Sequence, residues 1–255
     1  MTPTRIWTVG SAPKANNLSF QLTEPLFPGD VLVYLDAVNT ASAADNVTSI
    51  SSPNATWRKI GGPPTQQWWV ADVHSEVTGT WTVTVTGAAL PAGTNRSGVC
   101  TIIRGLNSST AVMKQFSGSS GTGSSPEHLA GRGQVVFASG YSDVSSKTKI
   151  NILPTTDWQE PVSPFAIYSA SRYASQAIRI PNEEPTNHTI TCGRSNGTYA
   201  ATSLVLGNYE PLVTTRRFKY HNGTTWAEAP AKVYLNGDWV EVPPKIHGDP
   251  EWTAA

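Results

Sequence analysis

The segment closest to a nucleophile motif is Gly193-Arg194-Ser195-Asn196-Gly197, which has G-x-S-x-G spacing. Such an elbow works where a strand turns sharply into a helix, because that turn lifts the serine hydroxyl toward its base. Here strand-like runs flank the motif, Thr189–Gly193 before it and Ala201–Gly207 after it. Ser195-Asn196-Gly197 therefore reads as a hairpin turn and carries no nucleophile. Leu153-Pro154-Thr155-Thr156 comes near a transpeptidase sorting signal, but Asp157 replaces the required Gly and no apolar tail follows. The five histidines, His74, His128, His188, His221 and His247, are spread along the chain with no pair at metal-ligand spacing. Glu183 and Glu184 are adjacent in a Pro-bounded loop, which does not set two carboxylates across a cleft. No metal, cofactor or catalytic residue is expected, and the chain reads as a non-enzyme.

The aromatic residues are the better candidates for binding. Trp68 and Trp69 are adjacent in a strand-like run, so they must lie on opposite faces. One fills a core. The other is covered by a neighbour or left exposed, where it suits a protein interface or sugar stacking. Sequons such as Asn46-Val47-Thr48 and Asn222-Gly223-Thr224 are expected by chance in so Asn/Ser/Thr-rich a chain.

The elements that hold these residues are strands. Only 14% of the 255 residues are charged, and 21 Gly and 19 Pro punctuate the chain. Such turn-rich, hydroxyl-rich composition suits short strands with polar outer faces. Nine Trp, eight Tyr and six Phe recur inside Val/Ile runs and argue against disorder. In Trp81-Thr82-Val83-Thr84-Val85-Thr86 the apolar residues alternate with threonines, the period of a half-buried strand. Val31–Leu35 and Val99–Ile103 alternate less, as central strands covered on both sides do. No stretch has a convincing helical period, although Ser169–Ala177 is long enough for a helical turn or two. The net charge is zero, with no basic stripe for nucleic acid and no long apolar run for a membrane. Met1–Trp7 holds no apolar signal core. Cys100 and Cys192 read as two buried free thiols.

An internal repeat organises the chain. Gly29 and its strand are answered by Gly133 and its strand, 104 residues on, and Trp57 by Trp158, 101 residues on. Phe165–Tyr168 answers the Trp68-Trp69 run, Thr189–Gly193 answers the strand ending at Gly87, and Ala201–Gly207 answers the one ending at Gly105. The expected architecture is all-β: two tandem antiparallel β-sandwich units of jelly-roll or Ig-like type, residues 1–108 and 109–212, then a tail over 213–255. The Gly/Ser run Ser117–Ser125 falls inside the second unit and reads as a loop. In the tail, Tyr220-His221-Asn222-Gly223 leads to Trp226, and Tyr234-Leu235-Asn236-Gly237 leads to Trp239, each followed by x-Glu-x-Pro. Asn-Gly favours type I′ turns, so each copy reads as a hairpin in which Tyr220 can meet Trp226, and Tyr234 can meet Trp239, across the strands.

These two units, Tyr220–Pro230 and Tyr234–Pro243, resemble the tails of virion proteins of tailed bacteriophages that infect actinobacteria, usually labelled minor tail proteins. The upstream pattern is similar in its grammar: Gly29–Val33, Trp57, Trp68-Trp69, Thr82–Thr86 and Ile102–Gly105. The resemblance implies a structural protein assembled in the host cytoplasm and exposed on the particle exterior. Its partners would be other virion proteins, further copies of itself and a host cell-wall glycan. A capsid decoration protein and a carbohydrate-binding module are the alternatives. Trp68, Trp69, Tyr220, Trp226, Tyr234 and Trp239 are the candidate contact residues.

Overall fold

The computed structural model describes the chain except residues 1–2, 12–16, 39–45, 90–95, 119–120, 125–127, 143–148, 154–158, 169–171, 183, 195–198, 211–218, 222–225, 229–230, 236–237, 243–244, 248–251 and 255. The described residues are all-β, with no helix. Met1–Glu210 form one compact unit and Pro211–Ala255 another. The junction expected near Asn107–Thr110 lies inside the first unit and joins its two large sheets.

The first half contributes β1 (Thr4–Ser11), β2 (Leu18–Leu22), β3 (Val31–Val38), β4 (Val47–Ser51), β5 (Ala55–Gly61), β6 (Gln66–Val73), β7 (Trp81–Gly87) and β8 (Arg96–Arg104). They make a five-stranded sheet in the order β1-β8-β3-β6-β5 and a three-stranded sheet in the order β2-β7-β4. The second half contributes β9 (Ala111–Gly118), β10 (Gly121–Ser124), β11 (His128–Ala130), β12 (Val135–Ser142), β13 (Lys149–Leu153), β14 (Gln159–Tyr168), β15 (Arg172–Arg179), β16 (Thr186–Arg194) and β17 (Tyr199–Leu206). Its five-stranded sheet, read from the half's first strand, runs β9-β17-β12-β15-β14, and β10, β11 and β13 all pair with β16.

Side-chain alternation explains how the layers stack. In β3 every residue is buried, so both faces are covered. Leu32 and Tyr34 join Trp69, Ala71, Cys100 and Ile102 in a core shared with Phe20, Leu22, Trp81, Val83 and Val85 of the three-stranded sheet. Val31, Val33 and Leu35 point the other way. With Trp68, Val70 and Ile103 they meet Val135, Phe137, Ile178, Leu204 and Leu206 from the second large sheet. Ala130, Val136 and Val205 form a smaller cluster beyond it. The two large sheets thus pack face to face through a single apolar seam. β1 lies over β14 and β5 over β9, so each sheet's first strand stacks on the other's strand of opposite position, as a two-fold axis would place them.

The turn before each central strand is built the same way. Gly29 and Gly133 adopt φ of +87° and +83°, which favours glycine. The Asp30 amide donates to the Phe27 carbonyl at 3.0 Å, and the Gln134 amide to the Gly131 carbonyl at 3.1 Å. Asp30 Oδ2 accepts from the Phe27 amide at 2.9 Å, and Gln134 Oε1 from the Gly131 amide at 3.0 Å. The junction itself is well tied. Asn107 Nδ2 donates to the Asn208 carbonyl and to Glu210 Oε1, both at 2.9 Å, while Asn107 Oδ1 accepts from the Asn208 amide at 2.9 Å.

Three sequence expectations are corrected. The helical turn allowed for in Ser169–Ala177 is not found in its described part: Arg172–Arg179 is strand β15, paired on one side with β12 and on the other with β14. Cross-strand pairing overrides a weak local preference there. The Gly/Ser stretch is not wholly loop, because Gly121–Ser124 pairs with Thr191–Arg194. Phe165–Tyr168 lies in β14, at the sheet edge that β5 occupies in the first half, and β15 holds the place of the Trp68-Trp69 strand.

Candidate functional site

The most concentrated chemistry in the first unit is a buried triad on β3 and β8. Asp36 is 1% exposed and Arg96 fully buried. Arg96 Nε lies 3.2 Å from Asp36 Oδ1, and the Tyr34 hydroxyl donates to the same carboxylate oxygen at 2.8 Å. Two glycines make the room. A Cβ on Gly98 would sit 2.3 Å from the Tyr34 hydroxyl oxygen, and one on Gly87 would sit 1.5 Å from Arg96 Nη1. Burial pushes the Asp36 carboxyl up to about 6, with Arg96 and the Tyr34 hydroxyl pulling in the opposite direction. Burial, reinforced by the Asp36 charge, holds the Tyr34 phenol well above its ordinary value. The triad has no solvent face, so it can pin β3 to β8 but cannot meet a substrate.

Trp68 and Trp69 do point to opposite faces, and neither is open to a ligand. Trp68 is fully buried in the seam between the large sheets. Its ring meets Phe137 edge-on, 5.7 Å between centroids at 60°, and its Nε1 donates to Thr202 Oγ1 at 2.7 Å. Gln66, two residues earlier on the same face, donates to Ser139 Oγ at 2.8 Å across the seam. Trp69 is 8% exposed and lies in the first core. Of the two placements open to the second indole, covered or exposed, the covered one is found. The second half covers Trp68, and the three-stranded sheet covers Trp69.

The other flagged residues are placed as follows. β16 and β17 flank the Ser195 motif and belong to different sheets. The connection is thus a crossover between layers and not the hairpin expected, while residues 195–198 lie outside the described part. Leu153 ends β13. His74 is exposed and lies 2.8 Å from Thr56 Oγ1 through its Nε2. His188 is buried, its Nδ1 2.9 Å from the Thr186 carbonyl and its Nε2 against the Arg179 guanidinium. Glu184 accepts from the Tyr209 hydroxyl. The Asn46 side chain accepts from Gln67. Cys100 is free and buried, and burial pushes its thiol up to about 12. Among the described residues no three His, Cys, Asp or Glu group as a metal site requires.

Near the surface, Arg104 is held at several points. It donates to both Asp30 carboxylate oxygens at 2.8 Å and to the Pro25 carbonyl at 3.0 Å. Its guanidinium carbon sits 4.5 Å from the centroid of the Phe27 ring, which is 38% exposed. The second half has Gln134 in place of Asp30, and it donates to the Gly207 carbonyl at 3.0 Å.

The remaining candidates lie in the second unit. There β18 (Lys219–His221) pairs with β19 (Trp226–Glu228), β20 (Ala231–Leu235) with β21 (Asp238–Val242), and β22 (Lys245–His247) with β23 (Trp252–Ala254). Tyr234 stands opposite Trp239, as expected. Opposite Trp226, however, the register places His221, and Tyr220 is paired with Ala227. The Asn-Gly-based alignment was one residue out, because Tyr220 lies six residues before its Trp and Tyr234 five before its own, while four residues separate each Trp from the residue opposite it. The third strand pair was not anticipated, since it lacks Asn-Gly. Its signal was Trp252 itself. The chain matches no protein-family model, no curated protein and no solved structure.

Proposed function

We propose that this chain is a non-enzymatic structural protein of a tailed-bacteriophage virion. In this reading it is a minor tail protein exposed on the particle, built as two tandem β-sandwich units (1–108 and 109–212) with a hairpin tail (213–255). The tail is the observation that carries the reading: repeated Trp-bearing strand pairs follow Pro211 in the segment whose sequence resembles minor tail proteins. The body supports it by what it spends its polar groups on. Its ion triad, which ties two strands of one sheet, and its Trp68 and Gln66 bonds, which join the two large sheets, all lie inside, which suits a rigid part. The like strand order of the two large sheets supports the tandem reading. Open sheet edges and the tail ribbons are where further virion proteins and further copies of this chain would dock. Labelling purified particles with an antibody against the chain tests the proposal. Signal on the tail is the expected result. Signal distributed over the head would instead make it a capsid decoration protein, and particles without signal would remove the virion role.

A further inference from the structure

The registers line up two facing rows inside the seam of the first unit. On one large sheet, Ala37 of β3 stands opposite Gln66 of β6 and Ser97 of β8. On the other, Ser139 of β12 stands opposite Gln176 of β15 and Thr202 of β17. Residues directly opposed, or two apart on a strand, share a face. Both rows therefore look into the seam, because Leu35, Trp68, Phe137, Ile178 and Leu204, each two residues along, belong to its apolar core. The Gln66 amide donates to Ser139 Oγ at 2.8 Å and so ties row to row. All six side chains are fully buried. Every one but Ala37 is polar, and neither row holds a charge. By strand alternation Asp36 and Arg96 belong to the opposite face.

The hydrogen bonds of this layer do not close. Gln66 Oε1, Ser97 Oγ and both ends of the Gln176 amide, Oε1 and Nε2, have no partner among the described residues. The imperfect repeat explains the last of these. Counted from Gly29 and Gly133, Leu35 corresponds to Ser139, and the registers then match Trp68 with Gln176 and Val99 with Thr202. Trp68 reaches Thr202 across the seam. Under the same two-fold relation the corresponding pair is Gln176 and Val99, and an isopropyl group offers an amide no hydrogen bond. Native interiors rarely leave buried polar atoms unpaired, and ordered water is their usual partner where protein gives none.

We infer that this layer is an internal water site, at which at least one ordered water bridges Gln66 on one sheet to Gln176 on the other. The site depends on the seam alone and not on the virion role. The unpaired atoms name the ligand. Gln176 Nε2 only donates, Gln66 Oε1 and Gln176 Oε1 only accept, and the Ser97 hydroxyl does either. The ligand must therefore both accept and donate, as water does and a metal cation does not. Neither row has a charged side chain to hold an ion. Turning the Gln66 amide over would only exchange its unpaired acceptor for an unpaired donor. A buried water makes about two to four hydrogen bonds, which the unpaired atoms of the two sheets can supply. Where Trp68 and Thr202 join the sheets directly, Gln66 and Gln176 join them through water.

The test uses the full chain. Water-selective NOE spectroscopy of ¹⁵N-labelled protein should show transfer from water to the Nε2 protons of both Gln66 and Gln176. Oxygen-17 relaxation dispersion counts long-lived internal waters and does not respond to hydroxyl protons. It should lose at least one water in Gln176→Met, which removes both amide atoms at similar length. The Tm of that variant should fall by roughly 2–10 °C, because the atoms facing Gln176 lose their bridge. If the Met variant does not fold, the wild-type transfer decides alone. Four results overturn the inference: no transfer at either wild-type amide; unchanged dispersion in the Met variant; a rise in its Tm, as removal of dry unpaired atoms would give; or a wild-type Tm raised selectively by K⁺, Na⁺ or Ca²⁺ at fixed ionic strength, which makes a cation the occupant.

Discussion

Trp68→Ala is the perturbation that probes the seam most sharply. Trp68 is fully buried, packs on Phe137 at 5.7 Å and bonds Thr202 at 2.7 Å. Truncating a buried Trp costs about 3–5 kcal/mol. The stranded Thr202 hydroxyl adds about 1 kcal/mol, because a buried group loses its partner. The expected loss is about 4–6 kcal/mol, a large share of the roughly 5–15 kcal/mol that holds a domain together. At about 2–4 °C per kcal/mol for a unit of this size, Tm falls by roughly 10–20 °C. Trp68→Phe keeps the contact with Phe137 and removes the N–H, so it should lose only about 1–2 kcal/mol. Urea unfolding followed by far-UV circular dichroism measures both. Because Trp68 lies in the core common to both large sheets, the main transition should shift as a whole. A loss under about 1 kcal/mol for the Ala variant would refute the seam. So would splitting into two transitions of which only one moves, since each half would then be stable alone.

Three further outcomes follow from the buried triad and its neighbours. Asp36 titrates near 6 in the folded chain against 3.8 when unfolded; its contribution is neutral below 3.8 and costs stability increasingly as pH rises through 6, by about 3 kcal/mol. Carboxyl ¹³C NMR should place its midpoint near 6, and stability relative to Asp36→Asn should improve as pH falls from 7 toward 4; a midpoint below 4 contradicts this. Gly98→Ala drives a methyl to within 2.3 Å of the Tyr34 hydroxyl oxygen and 2.4 Å of its ring, so thermal unfolding should show a loss of about 1–3 kcal/mol or more; an unchanged Tm would mean that the ring yields freely. The Cys100 thiol, raised to about 12 and buried, should resist iodoacetamide in the native chain and react only on unfolding, as peptide mapping would report; rapid native labelling would contradict its burial.

How much was legible in the sequence varied with the kind of signal. The Trp81–Thr86 alternation appears in the structure as buried Trp81, Val83 and Val85 between less buried threonines. The weak alternation of Val31–Leu35 marked a strand buried on both faces, and it is one. The partner of each face was not legible. Nothing local in Trp68 says that Phe137 and Thr202, far along the chain, will cover it. The Asp36–Arg96 pair was missed for the same reason: register, set by the whole sheet, brings Val38 opposite Arg96 and Asp36 opposite Gly98. In the tail, Asn-Gly drew the eye to the turns, while the period lay in Lys219, Lys232 and Lys245 and in Trp226, Trp239 and Trp252. Tyr and Asn-Gly fall one residue differently in the first two copies, and the third copy has neither.

The proposed virion role makes this chain a built-in part of a phage particle. Quantitative mass spectrometry of gradient-purified particles is the sharpest check on that role. The chain should then be present at a fixed ratio to the tail proteins, retained through high-salt washing. Absence from the particles, or a ratio that drifts between preparations and falls with washing, would contradict it.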